Sequence, residues 1–172
     1  LVAVTGYLGS SSGGLKLMLE GKHETSEDAR FLRESHCRPS PAVAVGQSLR
    51  DSKVTTAMDV SDGLVADLSK LCFASSVSSK IFTDRLPIHA ALRTQFPGDS
   101  ISLALGGGED YVLMFTGRPA NVNRLVSTLP TGAAVVGEIT EGEPGKVEVV
   151  DANGREVRGF NQGWDHFARL ND

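Results

Sequence analysis

Cysteine is scarce: Cys37 and Cys72 are the only two in 172 residues. They stand far apart and match no disulfide or zinc-binding spacing. Both read as small buried apolar groups, as in a cytoplasmic protein. An excess of positive charge is also missing, since 17 Lys and Arg against 21 Asp and Glu leave a net charge of -4 and a pI near 5.6. Without a basic face, nucleic acid is a poor candidate partner. No apolar stretch approaches the ~20 residues of a membrane span, and no basic start precedes an apolar run. A soluble, cytoplasmic protein with no membrane partner is expected. There is no internal repeat and no low-complexity linker. The chain is 40% hydrophobic, enough for one full-sized domain that buries roughly 70% of its unfolded surface. It opens at Leu1 rather than Met, inside an apolar, strand-like run. A larger parent protein with a missing upstream part is expected.

The run over residues 1–5 reads as a strand, followed by a Gly/Ser-rich turn over 6–14 and a short helix with Leu15, Met18 and Leu19 on one face. Thr25 and Asp28 have capping-box spacing ahead of a helix carrying Phe31 and Leu32. Pro39 and Pro41 end that helix and start another over 42–49. A β-rich run at 54–58 leads into a turn at 59–63 and a helix striped by Leu64, Leu68 and Leu71. A strand over 77–83 comes next, then a helix over 88–96 with Ile88, Ala91 and Leu92 inward. Gly106–Asp110 precedes an apolar strand at 111–115. An amphipathic helix carries Val122, Leu125, Val126 and Leu129, and a strand over 133–140 follows. Residues 146–157 read as a hairpin turning at Asn153 and Gly154. Strands and helices intermix, so the expected fold class is α+β, a mixed sheet covered by helices.

The densest chemical signal is Asp59-Val60-Ser61-Asp62-Gly63 at a strand-to-helix turn. Two carboxylates three residues apart, with a hydroxyl between, suit one hard cation such as Mg²⁺, which takes one or two carboxylates plus phosphate and water oxygens. A helix starting near Asp62 also points free N–H groups at the turn, which suits phosphate. The competing reading is helix capping by Ser61 and Asp62. A haloacid-dehalogenase pattern fails, because its second Asp must come one residue earlier. Gly106–Asp110 is a second candidate, since glycines admit close backbone approach and Glu109 or Asp110 can meet a cation or polar substrate. An ordinary tight connection explains it equally well. The turn over 6–14 is not a P-loop, because Leu15 follows Gly14 where Lys must stand. His166 reads as a packed histidine more readily than as a general base. Trp164, the only tryptophan, reads as core or as a lid over an aromatic ligand.

Five segments in order resemble the thiamine-monophosphate kinase family. They are Val4-Thr5-Gly6-x-x-Gly9-x-Ser11-x-x-Gly14-Leu15, Met58-Asp59-Val60-Ser61-Asp62-Gly63-Leu64, Gly107-Gly108-Glu109-Asp110-Tyr111, Val136-Gly137-Glu138-Ile139-Thr140 and Gly163-Trp164-Asp165-His166-Phe167. Val112 departs from the family, which more often has Glu after the Tyr. The resemblance implies a superfamily shared with aminoimidazole ribonucleotide synthetase, selenophosphate synthetase and a hydrogenase-maturation protein. It implies that residues 1–172 are the C-terminal domain of a two-domain kinase, a three-layer α/β/α unit partly like a ferredoxin fold. The absent N-terminal domain would supply most metal-binding carboxylates and the homodimer contact. By position, Asp59 and Asp62 would be Mg²⁺ ligands, Ser61 would contact ATP, and Glu109 and Trp164 would contact thiamine monophosphate. The implied reaction moves the ATP γ-phosphoryl group onto thiamine monophosphate, with no covalent intermediate and no essential general base. A sibling ATP-dependent enzyme of the superfamily, or a non-catalytic interaction domain on the same fold, are the alternatives.

Overall fold

Alternation along β1 (Val2–Val4) divides the molecule, because Val2 and Val4 enter the larger of two apolar clusters and Ala3 enters the smaller. Successive side chains of a strand point to opposite faces, so a sheet built on β1 is buried on both sides. The computed structural model describes residues 1–21, 25–160 and 163. Within them, β2 (Thr56–Asp59), β3 (Ser78–Phe82), β4 (Leu113–Thr116), β5 (Ala134–Thr140) and β6 (Val147–Val150) join β1 in a six-stranded sheet of order β2-β4-β1-β5-β3-β6. Every neighbouring pair is antiparallel except β3 and β6, which run parallel. The sheet is mixed, as expected.

The larger cluster draws on α1 (Ser10–Leu19), α2 (Glu27–Cys37), α4 (Leu64–Ala74), α5 (Ala90–Gln95) and α6 (Ser100–Gly106) through Leu17, Leu32, Leu68, Leu92 and Leu105, all fully buried. The smaller gathers Leu49 of α3 (Val43–Asp51) and Val122 and Leu125 of α7 (Pro119–Val126) around Phe115. Helices therefore cover both faces, giving the three-layer α+β architecture.

Several local expectations are corrected. The stripe Leu15, Met18 and Leu19 lies outward on α1, with Leu19 78% exposed. The buried face is instead Ser10, Ser11, Gly13, Gly14 and Leu17. Glycine leaves no apolar mark in a sequence, yet here it allows contact: a Cβ on Gly14 would stand 2.1 Å from the Leu32 carbonyl oxygen of α2. The cap of α2 is Ser26, whose hydroxyl accepts from the Ala29 N–H at 3.2 Å, and not Thr25. Cys37 is exposed, while Cys72 is buried as expected. Helix α6 was not foreseen, because its glycine end reads as a loop. The hairpin at 146–157 is short: β6 pairs with β3, and the return arm contributes only the Val150–Glu156 bridge. Asp151 holds its turn by accepting from the N–H groups of Asn153 and Arg155.

Candidate functional site

The site grows from the end of the β2–β4 ladder, whose last pair is Asp59 opposite Leu113. Beyond it the two chains stay bonded, through Val60 N–H to Val112 O at 2.9 Å, Tyr111 N–H to Val60 O at 3.0 Å and Glu109 N–H to Ser61 O at 2.8 Å. The 59–63 turn and the 107–111 loop are thereby fixed side by side. Two glycines make this approach possible. A Cβ on Gly108 would stand 2.6 Å from Ser61 O, and one on Gly63, at φ 118°, would stand 2.9 Å from the Gly106 backbone. Glu109 and Tyr111 adopt positive φ angles of 69° and 51°. Such strain persists only where the surroundings fix it, and it gathers at binding sites.

Asp110, between those two residues, turns the other way. Its carboxylate accepts from the N–H groups of Gly9 at 2.6 Å and Ser11 at 3.1 Å, at the start of α1. The helix N-terminus that suits an anion already holds one of the protein's own. Burial pushes the Asp110 carboxyl up to about 7, against the backbone donors of Gly9, Ser11 and Ser10 that pull it down.

Asp67, in the first turn of α4, does the same for the 59–63 turn. Fully buried, it accepts from the N–H groups of Ser61 and Asp62, each at 2.9 Å, through one oxygen. The helix expected to begin near Asp62 begins at Leu64, and an internal carboxylate takes the N–H groups of Ser61 and Asp62 ahead of it. Lys70 then bridges Asp67 at 2.9 Å and Asp62 at 2.5 Å. The Asp62 carboxylate, followed by that of Asp67, raises the Lys70 ammonium pKa above its ordinary value.

Two cavities adjoin this frame. The larger, about 690 Å³, is bordered by Asp59, Glu109, Tyr111 and His36 over an apolar floor that includes Pro39, Pro41, Val43 and Leu113. The smaller, about 220 Å³, is bordered by Ser61, Asp62, Glu109, Ser12, Gly108 and His36. Glu109 and His36 line both. The Tyr111 hydroxyl donates to Glu109 at 3.2 Å, and Glu109 first, then Asp59 and Asp62, hold its pKa up. Four sequence candidates, Asp59, Ser61, Asp62 and Glu109, are thus brought together, while Trp164 and His166 lie outside the described residues. Among the described residues, no three His, Cys, Asp or Glu side chains close into a ready-made metal cage. The carboxylate of Asp59, with that of Asp62 once Lys70 withdraws from it, is the donor set that fits a Mg²⁺ ion completing its shell with phosphate and water. Asp67, Lys70 and His36 escaped the sequence reading. An acid in the first turn of a helix was a usable signal for Asp67; His36 carried none.

A family model described as AIR synthase related protein, C-terminal domain, matches residues 1–150. A thiamine-monophosphate kinase of Salmonella typhimurium is 36% identical over 173 residues, covering 97% of this chain and 52% of that protein. The chain thus spans about half the length of the curated relatives it matches. The solved structure "AaThiL complexed with AMPPCP and TMP" superposes with a TM-score of 0.80 at 34% identity, over 96% of this chain and 50% of that one. Thiamine-monophosphate kinase from Stenotrophomonas maltophilia K279a superposes at 0.78 with 34% identity, over 91% and 50%.

Proposed function

Since this chain belongs to the AIR synthase related protein C-terminal domain family, we propose that it is the C-terminal domain of a two-domain thiamine-monophosphate kinase. On this reading the whole enzyme transfers the γ-phosphoryl group of ATP to thiamine monophosphate in the cytoplasm. A homodimer forms through the other domain. One observation carries the proposal: the 59–63 turn and the 107–111 loop are bonded so that Asp59, Asp62 and Glu109 border two adjoining cavities.

The chemistry of that arrangement matches the reactants. A cationic heterocycle suits an apolar floor with Asp59 and Glu109 at its rim, and Trp164 would add an aromatic face. Glu109 orients the thiamine portion, while Ser61 contacts the nucleotide. Asp59 and Asp62 would hold Mg²⁺, which when bound supplies charge screening between the two phosphate groups. Asp67 fixes the turn that presents Asp62, and Lys70 bridges the two carboxylates. The acceptor phosphate oxygen is already an anion, so the protein needs to position it in line with the γ-phosphorus and no side chain forms a covalent intermediate.

A substrate panel on the whole enzyme tests this. ATP consumption is expected with thiamine monophosphate, and not with the substrates of the two sibling synthetases. Turnover of a sibling substrate, with thiamine monophosphate inert, would move the assignment to that sibling. Inactivity of the whole enzyme on all three would favour an interaction domain.

A further inference from the structure

His36 belongs to no motif, yet the fold delivers it to both cavities. The delivery depends on glycine. At Gly13 and Gly14, α1 meets α2 without side chains, and a Cβ on Gly14 would come within 3.1 Å of the His36 Cβ. Close packing brings the last turn of α2 over the first turn of α1. There the Ser11 hydroxyl, on a residue only 1% exposed, lies 2.9 Å from His36 Nδ1. The hydroxyl donates to Nδ1 in the tautomer that carries the ring N–H on Nε2.

The remaining ionisable groups around the cavities are acidic or already committed. Asp59 and Glu109 border the larger, Asp62 and Glu109 the smaller, and Tyr111 donates to Glu109. Among the described residues lining either cavity, His36 alone carries a side-chain nitrogen. A phosphate entering the smaller cavity meets two carboxylates, Asp62 and Glu109, and besides His36 only the hydroxyls of Ser12 and Ser61 among its polar side chains. It needs a donor from the protein as well as any cation it brings.

We propose that His36 donates a hydrogen bond from Nε2 to a phosphate oxygen of the bound reactants, with Ser11 as the positioning residue that sets its tautomer and ring orientation. This rests on the kinase reading. The donor serves either the acceptor phosphate or the nucleotide, and the two are separable by kinetics.

The test compares the whole two-domain enzyme with its His36→Ala, His36→Gln and Ser11→Ala variants. Loss of a hydrogen bond to a charged group raises the KM of one reactant by about 10-fold or more in His36→Ala, with a smaller change in kcat. The reactant affected, thiamine monophosphate or ATP, names the phosphate. His36→Gln keeps an N–H donor and recovers part of the loss, and Ser11→Ala falls between wild type and His36→Ala. Unchanged KM for both reactants in His36→Ala overturns the proposal while leaving the kinase reading intact. A second measurement needs no variant: the Nε2 resonance of His36 in the wild-type enzyme shifts on titration with inorganic phosphate. A resonance that stays fixed at saturation overturns the proposal even if the enzyme proves to act on another substrate.

Discussion

Replacing Asp67 by Ala removes a carboxylate that serves three donors from a fully buried position: the N–H groups of Ser61 and Asp62 and the Lys70 ammonium. Each stranded backbone donor costs about 1 to 3 kcal/mol. The Lys70 contribution is small, because that side chain is 52% exposed and keeps Asp62 as a partner; such pairs are worth about 1 kcal/mol at most. The expected loss is therefore about 2 to 7 kcal/mol, with about 4 kcal/mol at its centre, a large share of the ~5 to 15 kcal/mol that holds a domain together. With a urea slope of about 2 kcal/mol/M, the unfolding midpoint falls by roughly 2 M. Asp67→Asn separates geometry from charge. Both backbone donors meet one oxygen, so the Asn carbonyl can accept both, and the loss shrinks to about 1 to 2 kcal/mol. Urea titrations followed by circular dichroism read both values. An Ala variant that loses under 1 kcal/mol, or an Asn variant as weak as Ala, would refute the claim that this acceptor organises the turn.

Asp110 makes stability depend on pH. Its carboxyl sits near 7 in the folded chain against an ordinary 3.8, so the folded state binds the proton more tightly. The group's contribution falls as pH rises from about 4 to about 7, by up to about 4 kcal/mol. Urea unfolding at pH 4.5 and 8 should show a steeper decline for wild type than for Asp110→Asn; parallel declines would contradict the burial argument. Lys70→Met frees Asp62 of its cation, and Mn²⁺ affinity in the whole enzyme, measured by electron paramagnetic resonance, should rise about 2- to 5-fold. Unchanged affinity would mean that Lys70 and the metal do not compete. Gly108→Ala forces a Cβ to within 2.6 Å of Ser61 O and should cost about 1 to 3 kcal/mol. Gly98→Ala meets nothing within 4 Å and should be neutral or slightly stabilising; similar thermal shifts for the two would undo the close-approach argument.

Periodicity made the larger elements legible. The stripe of Leu64, Leu68 and Leu71 and the apolar run at 111–115 announced α4 and β4, the latter starting two residues later at Leu113, and order along the chain announced the mixed sheet. Periodicity failed on α1, whose contact face is built from Ser10, Ser11, Gly13 and Gly14. Small residues pack by absence, and an apolar count passes over them. The turn at 59–63 was legible as two acids beside a hydroxyl. That its amides are already taken by Asp67 was not, because only the first turn of α4 folding back reveals it. Asp110 stands next to Glu109 yet faces α1 instead of the larger cavity, since positive φ at the residues on either side of it sets the direction of this stretch. Sequence adjacency gave the two acids one look and the backbone gave them separate tasks.

The central claim is that Asp59 and Asp62 present a divalent cation to nucleotide phosphates. Anomalous scattering from Mn²⁺ in crystals of the whole enzyme with a non-hydrolysable ATP analogue tests it most directly. Anomalous peaks are expected against the carboxylates of Asp59 and Asp62, with Lys70 withdrawn from the latter. Peaks confined to the other domain, with the Lys70–Asp62 pair intact, would contradict the account.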